Sequence, residues 1–430
     1  MKTMPSLSLL LVLGVSALVP ARAVAGQAQA AGTTPRAAAT QTPTTGSAPQ
    51  QPVAGWNNGF YLQSPDGQFR LQVGVMMHLD ARFAPGEDGL INTFAMRRGR
   101  FSFRGRIADR FEFYLNPDFA GGTLTVQDAY LETRFSQALR VRFGKQKTPF
   151  GHERMHAITS LLFLERALPT GLAPNRDFGV QALGELDGGV VSYAAEISNG
   201  TRDGASADTD TDNNKELTGR LVLRPFVRTP SSLLGGLSVS AAGTTSRQTT
   251  TAGLPVYRTP VFQQTYFSYA GATADGRLNR FSPYVSYYRR SFGGFVEASR
   301  SSIPVKKGAL TERISHRGYQ MAASWVLTGE TAAESGVTPK TNFNFGQGGW
   351  GALQVAVRYH TLNVDQAAFD LGLAAADAVR KARAWSAGAN WYLDRNVKYV
   401  FLFERTTFAG TALASREPEN VLAFRTQLAF

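Results

Sequence analysis

Residues 69–83 read Phe-Arg-Leu-Gln-Val-Gly-Val-Met-Met-His-Leu-Asp-Ala-Arg-Phe. Every odd position, Phe69, Leu71, Val73, Val75, Met77, Leu79, Ala81 and Phe83, is apolar. The even positions between them are Arg70, Gln72, Gly74, Met76, His78, Asp80 and Arg82. Successive side chains of an extended strand point to opposite faces, so one face of this segment needs hydrocarbon or a core and the other needs water.

The pattern recurs downstream. Phe101, Phe103 and Ile107 alternate with Arg100, Ser102, Arg104 and Arg106, and Phe111, Phe113 and Leu115 with Glu112, Tyr114 and Asn116. Ala129, Leu131, Thr133 and Phe135 alternate with Asp128, Tyr130, Glu132 and Arg134, and Val141 and Phe143 with Arg140 and Arg142. Such repetition predicts many antiparallel strands. Short polar turns, Ala108-Asp109-Arg110 and Ser136-Gln137-Ala138, alternate with longer loops at Pro85 to Asn92, about 148 to 178 and about 200 to 215. Outer-membrane barrels place short turns in the periplasm and long loops outside, and strand-plus-turn units of this size give about sixteen strands. The chain closes with Leu422, Phe424, Leu428 and a terminal Phe430 on one strand face, similar to the C-terminal signal of such barrels. The expected fold is therefore an all-β transmembrane antiparallel barrel.

Composition agrees with strands and turns: 43 glycines and 11% aromatic residues in 430. The absence of cysteine rules out disulfides, thiolate metal sites and thiol nucleophiles. Lys2, the apolar stretch Leu7 to Val19 and the small residues after it predict a signal peptide at residues 1–25, cleaved after Ala23 or Ala25. Residues 26–55, rich in Ala, Thr, Gln and Pro with Arg36 as their one charge, read as a disordered tether. Residues 56–430 remain for the barrel. Subtracting Lys2 and Arg22 from the formal charge of +13 leaves +11, a balance suited to nucleic acid, an anionic surface or an anion channel. Export argues against nucleic acid.

Arg98, Arg100, Arg104 and Arg106 share one face of the strand that runs from Met96 to Ile107. Placed against lipid, each arginine near the midplane would cost about 2–4 kcal/mol, so the row is predicted to face the lumen. There it attracts anions and can hold phosphate or carboxylate oxygens in pairs. Glu112, Asp128 and Glu132 on neighbouring strands are the alternative partners. His152-Glu153-Arg154-Met155-His156 fits the zinc-protease pattern, with Glu165 available as third ligand. That pattern needs a packed helix, and here it follows a strand end in the longest loop, so the expectation is a pore-lining loop with no enzyme activity, metal or cofactor. His78, His316 and His360 are scattered and suggest no triad.

Several pieces, in order, resemble the phosphate-selective porin O/P family of sixteen-stranded trimeric porins. They are Met96-Arg97-Arg98, Asp128-Ala129-Tyr130-Leu131-Glu132, Gly144 to Gly151 with Glu153, Glu165-Arg166, Asn175 to Gly179, Leu327 to Glu330, and Asn390 to Leu393. The resemblance implies a long third loop folded into the lumen as an anion-binding constriction. It implies roles there for Arg97 and Arg98, for Arg154 where the family's phosphate porins use lysine, and for Asp128 as a moderating acid. Two departures weaken phosphate specificity: Val73-Gly74-Val75 replaces a glycine-glycine-arginine, and Tyr257-Arg258-Thr259-Pro260 holds a single arginine. The resulting expectation is a bacterial outer-membrane porin passing small hydrophilic solutes, with a preference for anions such as phosphate or polyphosphate. It would be a homotrimer embedded in outer-membrane lipid, with Phe430 read by the barrel-assembly machinery. The alternatives are a general, sugar or organic-acid porin, or a non-conducting surface β protein.

Overall fold

The computed structural model describes residues 52–86, 89–210, 212–411 and 416–430. The expected signal peptide and most of the expected tether lie outside the described residues. A hairpin of β1 (Val53–Trp56) and β2 (Phe60–Gln63) comes first, so strand begins inside the last residues assigned to the tether. Nine barrel strands follow: β3 (Phe69–Phe83), β4 (Thr93–Ile107), β5 (Phe111–Asp118), β6 (Thr125–Arg134), β7 (Arg140–Lys147), β8 (Arg176–Leu186), β9 (Val191–Ser198), β10 (Glu216–Leu223) and β11 (Leu237–Gln248). Three short strands, β12 (Tyr257–Arg258), β13 (Thr265–Phe267) and β14 (Thr273–Ala274), lie in the next connection. Seven more barrel strands complete the chain: β15 (Gly276–Arg289), β16 (Phe292–Lys307), β17 (Leu310–Val326), β18 (Ala352–Asn363), β19 (Val379–Tyr392), β20 (Val397–Thr411) and β21 (Glu419–Ala429).

Each barrel strand pairs antiparallel with the next, β11 pairs with β15, and β21 pairs back onto β3, closing a 16-strand barrel. Closure satisfies the backbone donors and acceptors that hydrocarbon cannot, which is why a sheet crossing a membrane must have no edge. The period-two pattern sets the register. On β16 and β17 the pair Val296 and Met321 is exposed on the outer face, whereas the adjacent pair Glu297 and Gln320 is buried inside. Among the described residues no helix is long and apolar enough to cross a membrane.

Near the chain terminus β3 changes partner along one edge. Met76 pairs with Ala429, the Val75 and Phe430 backbones exchange hydrogen bonds at 3.0 Å, and from Val73 onward β2 takes over. Phe430 packs against Trp56 and Phe60, with ring centroids 4.9 and 6.2 Å away. The hairpin therefore continues the edge of β3 where the last strand ends.

The interior is not uniformly wet, a departure from the simple alternation. Residues 148–175, between β7 and β8, fold inward, as the resemblance implies, and are mostly buried. Leu168 and Leu172 join Tyr257, Phe267 and Leu362 in one apolar cluster, and Phe163 and Leu164 join Phe295, Val400 and Leu402 in another. The loop brings its own apolar side chains onto the far wall. A cavity of about 1050 Å³ remains, and its strand-borne lining comes mainly from β3 to β8.

A Cβ on Gly74 would stand 2.4 Å from the Phe430 carbonyl oxygen and 2.5 Å from Ser102 Oγ, whereas one on Gly219 would meet nothing within 4 Å. Overpacking of this kind costs about 1–3 kcal/mol. Gly74→Val is expected to reduce the heat-modifiable, folded fraction on a gel and lower the melting temperature, while Gly219→Ala changes neither; equal behaviour would remove the steric account of the seam.

Candidate pore constriction

β4 carries five of the predicted site arginines, and a bulge decides where they point. His78 pairs with Arg98 but Leu79 pairs with Met96, leaving Arg97 as the extra residue. An inserted residue lets two neighbours in sequence point to the same side. Arg97 Nε and Arg98 Nη1 both donate to Glu165 Oε1, at 3.1 and 3.0 Å. Strict alternation would have put Arg97 on the lipid face, and the bulge corrects it.

Glu165 comes from the inward loop. Arg98 Nη2 reaches its second oxygen at 2.7 Å, and Arg425 on β21 donates to its first at 3.1 Å and to Asp80 at 2.6 and 2.8 Å. Burial alone would raise the pKa of Glu165, but Arg98, Arg97 and Arg425 hold it well below the ordinary carboxylate value. A second anchor lies nearby. Glu153 Oε1 accepts from Arg358 at 3.1 Å, and Oε2 accepts from Ala167 N, Thr170 Oγ1 and Gln320 Nε2 at 2.8, 3.1 and 3.2 Å. Burial opposes ionisation of Glu153 too, and Arg358, the Ala167 N–H, Arg166 and Gln320 together outweigh it and hold its pKa below the ordinary value. Lys398 and Asn390 complete the attachment by donating to the Thr159 and Leu162 carbonyls at 3.0 and 2.9 Å.

The remaining predicted residues separate. Arg100 is paired with Asp118 at 2.7 Å. Arg104 is exposed to the cavity, its guanidinium 5.3 Å from the Tyr114 ring centre. Arg106 faces inward as its parity requires but sits at the β4–β5 turn, donating to the Gly67 carbonyl at 3.4 Å and lying outside the cavity lining. Position along the strand, which parity does not encode, removes it from the constriction. Arg154 lines the cavity and donates to Asn175 Oδ1 at 3.3 Å and to the Thr170 carbonyl. Asp128 is bound by Arg176 at 3.0 and 3.1 Å and by Asn116 at 3.2 Å. The carboxylates proposed as partners for the arginine row are engaged elsewhere, Glu112 by Arg134 and Glu132 by Arg140 and Arg142.

Sequence reasoning missed Lys147, Arg166 and Arg176. Lys147 Nζ and Arg166 Nη2 share the His156 carbonyl as acceptor, at 2.7 and 3.0 Å, and Arg166 Nε donates to the Glu153 carbonyl at 3.0 Å. Among the described residues, no carboxylate forms an ion pair with Lys147, Arg154 or Arg166. Burial lowers the pKa of Arg154 to about 10 and that of Arg166 to about 9, with like charges adding to the effect, so both remain cationic at neutral pH. Thirteen basic and five acidic side chains line the cavity, an excess of eight. Four of those acids, Asp118, Asp128, Glu165 and Asp203, sit in ion pairs, and Asp394 accepts two backbone N–H groups. Among the described residues Asp394, held by neutral donors, is thus the one lining acid whose charge is left to offset the positive lining.

A closed barrel of this size with an inward loop narrowing a charged cavity defines an outer-membrane porin. The sequence profile of phosphate-selective porin O and P matches residues 71–430, and the chain belongs to that family. Solved structures with the same fold include the outer-membrane channel DcaP of Acinetobacter baumannii, with 14% identity, a TM-score of 0.54, and coverage of 86% of this chain and 99% of that one. The anion-selective porin from Comamonas acidovorans gives 10%, 0.53, 84% and 100%, and a trimer form of OmpT from Vibrio cholerae 12%, 0.53, 84% and 99%. No curated protein sequence matches the chain. The protein is thus a channel of the bacterial outer membrane.

Because the native pKa of Glu165 lies well below its ordinary 4.5, its contribution to holding the loop is complete above that value and is lost only as pH falls through the depressed one. Removing one partner of a buried pair costs about 3–5 kcal/mol. Glu165→Gln is expected to give noisy, enlarged single-channel currents at every pH, whereas the unaltered channel stays quiet from pH 7 down to about 4.5. Quiet currents from the folded variant would show that this carboxylate does not anchor the loop.

Proposed function

We propose that the porin favours small anions, phosphate among them, and passes them down their gradients. The observation carrying this reading is the cluster of Lys147, Arg154 and Arg166, held by neutral oxygens at the cavity wall. Such partners orient a cation without cancelling its charge, so the field in the narrowed lumen stays positive. Arg104, lying against Tyr114, adds a further guanidinium on the β4 wall. Guanidinium forks can also take two phosphate oxygens at once.

The reading extends to assembly and export. The family and the trimer form of Vibrio cholerae OmpT support a homotrimer. A cleaved signal peptide, lipid around the exposed apolar belt and capture of the Phe430 end by the assembly machinery accord with the sequence. Phosphate is one member of a broader anion set, since the first strand lacks the family's arginine and Arg258 stands alone in its segment.

An oxyanion about 4 Å from a cation gains about 1 kcal/mol in a water-like dielectric. Changing Lys147, Arg154 and Arg166 together to glutamine should weaken phosphate block of the chloride current roughly 100-fold. Planar-bilayer titration with phosphate measures it, and a triple variant that conducts and is blocked as strongly as the unaltered channel would overturn the assignment.

A further inference from the structure

His152 and His156 remain outside the anchoring network. They lie one turn apart on the inward loop, with ring centroids 4.3 Å apart. Tyr284 and Phe295 hold the His152 ring from the barrel wall, at 4.0 and 4.6 Å. His152 is 1% exposed, and the Nε2 atoms of both histidines are buried without a hydrogen-bond partner among the described residues. A buried ring nitrogen without a partner costs free energy, so two together call for a ligand.

The third group comes from the connection between β17 and β18. A turn closed by Gly336 N donating to the Ala333 carbonyl at 3.0 Å carries Glu334 toward the two rings. One ligand atom from each of His152, His156 and Glu334 lies within 4.8 Å of the others. Ser286 Oγ donates to Glu334 Oε1 at 2.7 Å, a second contact of the kind that orients a metal-binding carboxylate. We propose that these three side chains bind a borderline divalent cation, with Zn²⁺ as the fitting probe, and that the ion staples the constriction loop to the β17–β18 loop.

Two imidazoles and a carboxylate are a donor set that suits zinc, and Zn–N and Zn–O bonds of about 2.0–2.2 Å require the donors to close to roughly 3.3 Å. Binding then requires the His156 and Glu334 side chains, both partly exposed on loops, to close on His152, whose ring the wall holds. Met155, Ala157, Ser335 and Gly336, flanking the three ligands, line the main cavity and give the ion a route from the lumen. The Glu153 carboxylate that a hydrolytic site would need is committed to Arg358, Ala167, Thr170 and Gln320. Glu165, the third ligand suggested by sequence, is bound to Arg97, Arg98 and Arg425. The remaining carboxylate beside His152, Glu297, accepts the His152 and Glu153 backbone N–H groups and the Gln320 amide at 2.7, 3.3 and 2.8 Å, so the geometry describes a structural staple.

Calorimetric titration of the chelator-treated, tag-free full-length protein with ZnCl₂ tests the site. Expected are about one zinc per chain, at least about tenfold weaker binding in His156→Gln and in Glu334→Gln, and a zinc-dependent rise in melting temperature confined to the unaltered protein. Mg²⁺, which prefers oxygen donors, should produce neither effect. If His156→Gln fails to fold, Glu334→Gln on its partly exposed loop decides alone. Absence of zinc uptake by the unaltered protein, or equal uptake by the folded variants, would overturn the proposal.

Discussion

Ionised carboxylates removed from water must be met by cations, and this channel's constriction follows from how Glu153 and Glu165 meet that requirement. Each is carried inward on the loop between β7 and β8 and ends against arginines of the wall, Arg358 for one and Arg98 and Arg425 for the other. An unpaired charge in such a place would destabilise by several kcal/mol, so the loop has one favourable seat. Of the arginines on β4, Arg97 and Arg98 are therefore anchors, Arg100 is paired with Asp118, and Arg104 stays open to the cavity. Further charge available to a solute comes from the loop and the adjoining strand ends, where Lys147, Arg154 and Arg166 rest on carbonyl and amide oxygens.

This arrangement also divides the interior. Apolar residues of the loop, among them Phe163, Leu164, Leu168 and Leu172, pack onto the opposing wall at Phe295, Leu362, Val400 and Leu402. Water and solute are left the side formed by β3 to β8. Narrowing and charge thus arise from the same fold of one connection: apolar packing against one wall turns the polar side of the loop toward the other.

The barrel was legible because side-chain direction along a strand has a period of two, and lipid outside with polar contacts inside forces that period into the sequence. The long loops could be read by their lack of it. Three things were hidden. A bulge shifts parity without a composition signal, so Arg97 is placed as the extra residue between the Met96–Leu79 and Arg98–His78 pairs. Depth along the barrel axis is not written in alternation, which is why Arg106 looked equivalent to Arg100. Ion-pair choice depends on which acid a distant loop delivers: Arg98 meets Glu165 from 67 residues away, and none of the neighbouring-strand carboxylates first considered.

Four of the five acids lining the cavity are paired with cations within the protein, while several of the lining cations have no acid partner among the described residues. The zero-current potential of the purified channel across a tenfold KCl gradient tests this balance most directly, since screening and desolvation act on both ions and only the sign of the fixed charge separates them. The account predicts an anion-selective sign, approaching the limit of about 59 mV for a single charge as ionic strength falls. A potential of the opposite sign would show that open carboxylates control passage and would contradict it.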